Sequence, residues 1–176
     1  MVIHKLLSAF RRDDVRYALM GGFALGLWGV GRTTVDLDIL VNRDDIARVS
    51  RIMKELGYEC RFQSENVSQY ISPLNVFGEV DFLHAFRTAS LEMLEHAEEK
   101  EVFAGSFKVK VLKAEDIIGL KLQAIANNPA RERNDLADIE SLISANKNNL
   151  DWSWLEKYFK LFEMTNLYQE IYRRYH

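Results

Sequence analysis

Apolar and polar residues follow two different periods along the chain, and the pattern changes after Leu112. In "NRDDIARVSRIMKELG" the apolar residues recur every three or four positions between capping residues and Gly57, which predicts a helix. In "TVDLDILV" they alternate with single polar residues, which predicts a strand with Asp36 and Asp38 on one face. Both kinds of segment occur up to Leu112, whereas the segments after it are helical. The sequence therefore predicts an α/β (α+β) fold, a mixed sheet flanked by helices over residues 1–112 with a helical C-terminal part over residues 113–176.

Shorter segments complete the predicted first part. "RYALM" predicts a strand that ends at a Gly-Gly turn, and "FALGLW" predicts a short helix after it. "NVFGEVDFLHAF" contains a further strand, on which Asp81 takes the position that the aspartates take on the earlier strand. "LEMLEHAEEK" predicts a helix, and "EVFAGSFKVKVL" predicts a hairpin that turns at "AGS".

Composition excludes several classes of protein. The net charge of −3 argues against a protein that coats nucleic acid, although a local basic patch remains compatible with it. The single cysteine, Cys60, excludes an internal disulfide and a cysteine-rich zinc site, and we expect it to be buried or inert. The N-terminus becomes charged too early for a signal peptide, and no apolar run is long enough to cross a bilayer, so we expect a cytoplasmic protein without a membrane partner.

The aspartates are the main candidates for chemistry. Two carboxylates that project together from one strand repel each other unless a cation or strong donors lie between them. Mg²⁺ (or Mn²⁺) prefers such oxygen ligands, commonly together with substrate phosphates, and Asp81 would supply a third carboxylate if its strand lies beside the first. The alternative is a solvent-facing edge strand on which Asp36 and Asp38 bind nothing.

The residues before these aspartates suit an anion. Gly21 and Gly22 carry no side chain, so a phosphate could approach the backbone amides at the start of the short helix. Arg32 adds a guanidinium, which matches the geometry of phosphate or of a carboxylate. The Gly-Gly pair by itself is equally compatible with an ordinary turn.

In this order the residues resemble the signature of the nucleotidyltransferase superfold, the group related to polymerase β. Within it, the run is similar to the small bacterial nucleotidyltransferases of the abortive-infection, type IV toxin-like group. Two segments carry the resemblance: the first matches at Gly21, Gly22, Gly29, Arg32, Thr34, Asp36 and Asp38, and the second, a K-x-x-A followed by D-x-x-D, matches at Lys121, Ala124, Asp135 and Asp138.

The resemblance implies a set of site residues. It implies metal binding by Asp36, Asp38 and Asp81, and catalysis by these three together with Lys121. Gly22 stands where many relatives have serine, so backbone amides would make that phosphate contact. The implied nucleotide-binding residues are Gly21, Gly22, Arg32, Thr34, Lys121, Asp135 and Asp138.

The function predicted on these grounds is Mg²⁺-dependent transfer of a nucleoside monophosphate from an NTP to a hydroxyl of an RNA, such as a tRNA, or of a protein. The resemblance also allows a toxin that is paired with an antitoxin protein. The alternative is a catalytically silent nucleotide-binding or regulatory module of the same fold. The sequence leaves the base of the nucleotide, the acceptor and the oligomeric state open.

Overall fold

A mixed β-sheet organises the first part of the chain. The computed structural model describes residues 2–31, 34, 36–72 and 78–176. The strands within them are β1 (Tyr17–Met20), β2 (Leu37–Asn42), β3 (Glu59–Gln63), β4 (Val67–Ile71), β5 (Val80–Ala85), β6 (Glu98–Val102) and β7 (Phe107–Val111). In the described part of the chain they form one seven-stranded sheet in the order β3-β4-β5-β2-β1-β7-β6.

Helices precede, interrupt and follow these strands. Single 3₁₀ turns occupy Arg43–Asp45 and Pro129–Arg131. The α-helices are α1 (Val2–Arg12), α2 (Gly21–Leu27), α3 (Ile46–Glu55), α4 (Thr88–Glu95), α5 (Ala114–Asn127), α6 (Glu132–Asn146), α7 (Trp152–Leu161) and α8 (Thr165–Tyr175). The predicted fold class, a mixed sheet with flanking helices and a helical C-terminal part, is confirmed.

Two parallel pairings make the sheet mixed. β2 pairs in parallel with β5 over its whole length, and β1 pairs in parallel with β7, while the other neighbouring strands are antiparallel. Parallel strands need a crossover connection, which here consists of α3 and the β3–β4 hairpin between β2 and β5. The pairing thus aligns residues that are distant in sequence.

The two faces of the sheet have different surroundings. On one face the ring of Phe10 in α1 lies 6.1 Å from that of Phe82, centroid to centroid, and the hydroxyl of Ser50 in α3 lies 2.9 Å from that of Tyr70. Phe10, Phe82 and Tyr70 are buried. Because side chains alternate along a strand, the neighbours of Phe82 point to the opposite face, where Asp81 and Leu83 are half-buried.

The chain divides into two compact units. The first contains residues 1–24 and 32–112, and the second contains residues 25–31 and 113–176. Inside the second unit, the side-chain amide of Asn146 donates a 2.9 Å hydrogen bond to the backbone carbonyl of Trp28. The apolar core of this unit is built from its helices, with Leu122, Ile139 and Phe159 fully buried. The sequence pattern did not indicate that residues 25–31 belong with the helices.

Two local predictions are wrong. The predicted helix over residues 91–100 ends at Glu95, because Glu98 and Lys100 pair with Val111 and Val109 in an antiparallel ladder. Of the two alternatives given for Cys60, buried or inert, burial is wrong, since the residue lies on the edge strand β3, every residue of which is exposed; an inert thiol stays a prediction. No helix in the described ranges combines the length and apolar character needed to cross a membrane.

Candidate functional site

Two aspartates lie side by side on neighbouring parallel strands. Asp38 of β2 and Asp81 of β5 are direct register partners, so their Cα atoms are about 5 Å apart. Leu37 and Ile39 on either side of Asp38 are buried, as are Val80 and Phe82 on either side of Asp81. Both carboxylates therefore project from the same face of the sheet, opposite the buried apolar residues.

Asp36 lies next to this pair but outside the strand. The sequence placed it on the strand with Asp38, whereas β2 begins one residue later, at Leu37. Asp36 is exposed, and its Oδ1 accepts a 3.2 Å hydrogen bond from the backbone N–H of Glu79. Its backbone carbonyl accepts a 3.2 Å bond from the hydroxyl of Thr34. The bond from Glu79 holds Asp36 beside the residues that precede β5.

Asp81 lies in an unfavourable position for a negative charge. Its Oδ1 is buried and has no hydrogen-bond partner among the described residues. Burial raises the pKa of Asp81 above its usual value, the negative charges of Glu79 and Asp36 raise it further, and the Gln69 side chain partly offsets them by hydrogen bonding. A buried carboxylate oxygen without a donor has an unmet demand for a cation or a proton.

The glycine pair allows the first turn of α2 to approach the aspartates closely. Gly21 has a φ of +63°, and a Cβ added there would collide with the carboxylate of Asp38. A Cβ on Gly22 would lie 2.9 Å from Cβ of Thr34. Larger residues at either position would displace the neighbouring side chain. The predicted contact of this turn with phosphate stays a prediction.

A hollow of about 220 Å³ opens beside Asp38 and Asp81. Among the described residues, the charged ones that line the hollow are Asp38 and Asp81. No group of three or more His, Cys, Asp or Glu side chains is arranged to hold a metal ion by itself, as far as the described residues go. The other lining residues are Met20, Val67, Ser68, Gln69, Phe82 and Leu83.

Lys121 is held by carboxylates of its own unit. Its ammonium donates hydrogen bonds of 2.9 Å to Asp135 and 2.7 Å to Asp138, and Arg131 adds a 2.9 Å bond to Asp135. Burial alone would raise the pKa of Asp135, but the bonds from Arg131 and Lys121 outweigh it and the pKa lies below its usual value. The structure thus brings Lys121, Asp135 and Asp138 together, and their role in nucleotide binding stays a prediction.

Arg32, the predicted phosphate contact, lies outside the described residues. Gln69 of β4 was not singled out from the sequence, although it is the register partner of Asp81 on the strand's other side. No sequence signal marks it, because "VSQYI" gives no indication of which strand it pairs with or in which register.

Solved structures of nucleotidyltransferases share this architecture. Antibiotic-resistance factor ANT(2'')-Ia superposes with a TM-score of 0.70 at 16% identity, covering 99% of this chain and 96% of that one. The lincomycin-bound lincosamide antibiotic adenylyltransferase LnuA gives 0.59 at 14% identity, covering 81% and 95% respectively. An antigenic nucleotidyltransferase-like protein from Paracoccidioides brasiliensis gives 0.57 at 20% identity, covering 96% and 87%. At these identities the likeness shows the fold.

The sequence supports the same assignment independently of the superpositions. No curated protein matches the sequence. A family model, described as an uncharacterised nucleotidyltransferase, matches residues 2–176. The nucleotidyltransferase superfold predicted from the Gly-Gly and Asp-x-Asp run is thereby confirmed. The chain belongs to this family of uncharacterised nucleotidyltransferases and is an enzyme of that class.

Proposed function

We propose that the protein transfers a nucleoside monophosphate from an NTP to an acceptor hydroxyl, with a divalent cation, Mg²⁺ or Mn²⁺, at the aspartates of the sheet. The arrangement of two aspartates carries the proposal. Asp38 and Asp81 are register partners on neighbouring strands, and Oδ1 of Asp81 is buried without a partner in the described structure. A buried carboxylate oxygen such as Oδ1 of Asp81 is costly unless a ligand compensates it. A cation that also binds the triphosphate would do so.

The residues present fit a cation of this kind. Mg²⁺ is usually held by one or two carboxylates together with substrate phosphates, rather than by a cage made of protein alone. A pair of aspartates with a third nearby, and no complete three-residue cage in the described part of the chain, agrees with that preference. In the proposal Asp38 and Asp81 are the main ligands, and Asp36 contributes from the chain before β2. When bound, the cation stabilises negative charge on the triphosphate.

The side chains of this site then orient the substrates and deprotonate the acceptor hydroxyl. The acceptor hydroxyl oxygen attacks the α-phosphorus, the bond from that phosphorus to the bridging oxygen breaks, and pyrophosphate leaves. The carboxylate of Asp81, the third of the site, also accepts the proton of the hydroxyl through the oxygen that does not bind the cation. The first turn of α2, at Gly21 and Gly22, and Thr34 border the nucleotide. Catalysis in such a site is mostly positioning and charge stabilisation.

The acceptor class is the open part of the proposal. The sequence favoured an RNA or protein hydroxyl, and a toxin with an antitoxin partner. Among the structural neighbours, ANT(2'')-Ia has been solved with adenylyl-2''-tobramycin and LnuA with lincomycin. A small-molecule hydroxyl is therefore a third acceptor class to test beside RNA and protein.

The direct test is transfer of label. The protein is incubated with each α-labelled NTP, Mg²⁺ or Mn²⁺, and separately with tRNA, cell extract protein, tobramycin and lincomycin. We expect metal-dependent label on one acceptor class, and a loss of roughly 10²-fold or more in Asp38→Ala and Asp81→Ala. Asp44→Ala is the matched control, because Asp44 is an exposed aspartate at the opposite end of β2. Transfer that persists undiminished in the first two variants would refute the proposed site.

A separate variant tests the second unit. Lys121→Met removes the ammonium that Asp135 and Asp138 surround. If the lysine binds nucleotide, as the sequence resemblance implies, the variant raises the KM for the NTP. An unchanged KM in a folded variant assigns these three residues to the structure of the helical unit.

A further inference from the structure

One row of side chains crosses four neighbouring strands on the proposed catalytic face. Met20 of β1 is the register partner of Asp38, Asp38 of Asp81, and Asp81 of Gln69 on β4. All four residues are half-buried and line the 220 Å³ hollow. In the antiparallel pair of β4 and β5, directly opposed side chains are close enough to contact each other. The row therefore places the amide of Gln69 on the β4 side of the Asp81 carboxylate, and Asp38 on its β2 side.

Gln69 is the neutral group that supports this carboxylate. Asp81 forms no ion pair with a described basic side chain, and Glu79 and Asp36 act on it as like charges. Gln69 lies directly opposite Asp81 in the register of β4 and β5 and lines the same hollow, and hydrogen bonding by its side chain lowers the pKa of Asp81. Because Oδ1 has no partner in the described structure, the contribution of Gln69 leaves that oxygen uncommitted.

We propose that Gln69 is a positioning residue for the metal site: its side-chain amide fixes the orientation of the Asp81 carboxylate so that Oδ1 is directed at the cation of the metal–NTP complex. The inference rests on the proposed function, since it requires that Asp81 binds that cation. Gln69 itself does not touch the metal or the reacting atoms. It acts through Asp81, as the hydrogen-bond partners of metal ligands commonly do.

The chemistry of an amide suits this position better than a charge would. A lysine or arginine beside Asp81 would form an ion pair and compete with the cation for the same carboxylate. A glutamate would add a further negative charge to a site that already holds several. A glutamine donates a hydrogen bond without changing the charge. The half-buried Val67 and Leu83 line the same hollow as Gln69 and Asp81.

The test measures metal binding rather than turnover. Free Mn²⁺ is quantified by electron paramagnetic resonance during titration of the full-length chain, with a non-hydrolysable ATP analogue present. We expect Gln69→Leu, which keeps the approximate size but removes the amide, to weaken Mn²⁺ binding about 10-fold. Gln69→Lys should weaken it further, because its ammonium competes with Mn²⁺ for Asp81. Gln63→Leu on β3 is the matched control, since Gln63 is an exposed glutamine of the adjacent strand, and should bind Mn²⁺ as the wild type does.

The outcomes separate the two proposals. If the wild type and Gln63→Leu bind no Mn²⁺, the metal site of the proposed function fails, and the role of Gln69 fails with it. If the wild type binds Mn²⁺ and Gln69→Leu binds it equally well, the positioning role alone is overturned. Thermal melting of each variant excludes misfolding as the cause, and a Gln69→Lys variant that melts normally and binds as tightly as Gln69→Leu would also overturn the proposal.

Discussion

Gly21 meets two constraints at once, and replacing it with alanine should lower both stability and activity. Its φ of +63° lies in the left-handed region, which costs an L-residue about 1–2 kcal/mol. An added Cβ would occupy the place of the Asp38 carboxylate, and a forced change of that rotamer costs about 0.5–1.5 kcal/mol. We therefore expect Gly21→Ala to reduce the free energy of unfolding by about 2–3 kcal/mol. Since the displaced group is a proposed metal ligand, transfer should fall by roughly 10²-fold.

The assay has a matched control in the same helix. An alanine Cβ at Gly26 would meet no described atom within 4 Å, so Gly26→Ala should keep full activity and gain up to about 1 kcal/mol from helix propensity. Urea unfolding gives the stability of both variants, and label transfer gives their activity. A Gly21→Ala protein that is as stable and as active as Gly26→Ala would show that the close approach of α2 to Asp38 is dispensable. The reasoning from backbone angle and carboxylate position would then be wrong.

Two further predictions concern stability. The buried carboxylate of Asp45 accepts hydrogen bonds of 2.9–3.1 Å from the side chain and backbone of Arg16; burial alone would raise the pKa of Asp45, but these bonds outweigh it and the pKa is lowered. Because the folded pKa is the lower one, this stabilisation is present above about pH 4 and is lost as the pH falls below it. Since hydrogen bonds to a charged group contribute about 1.5–3 kcal/mol, Asp45→Asn should cost about 2–3 kcal/mol at pH 7. Its stability, measured by urea unfolding from pH 7 to pH 3, should also fall less steeply with pH than that of the wild type, and an unchanged dependence on pH would contradict this. In the helical unit, a Cβ on Gly119 would lie 2.7 Å from the ring of Tyr158, so Gly119→Ala should cost about 1–3 kcal/mol in thermal unfolding, and Tyr158→Leu in the same chain should recover part of it; equal losses with and without Tyr158→Leu would refute the clash.

Much of the site could be predicted from local patterns. The alternation in "TVDLDILV" predicted that Asp38 would lie on the face opposite Leu37 and Ile39, because side chains two residues apart on a strand share a face. Gly21 was predicted at a strand-to-helix turn, and its positive φ occurs there. These features depend on a few neighbouring residues, so the sequence contains the information for them.

The features that sequence reasoning missed depend on pairing between distant strands. The sequence does not state the register that aligns Gln69 with Asp81, and Glu79 comes near Asp36 only through the pairing of β2 with β5. The same reason explains the error at residues 96–100, where a helix-compatible segment becomes an edge strand because β7 offers it a partner. Tertiary pairing overrides local propensity in such segments.

The parallel pairing of β2 with β5 has a consequence for folding. Asp38 and Asp81 meet only after the chain between them closes a long loop. The free-energy cost of that closure is offset only when β2 and β5 pair. The same event brings two like charges together. If a divalent ion binds these aspartates, as proposed above, it also relieves that repulsion as the loop closes, and its binding is then thermodynamically linked to the acquisition of the native topology.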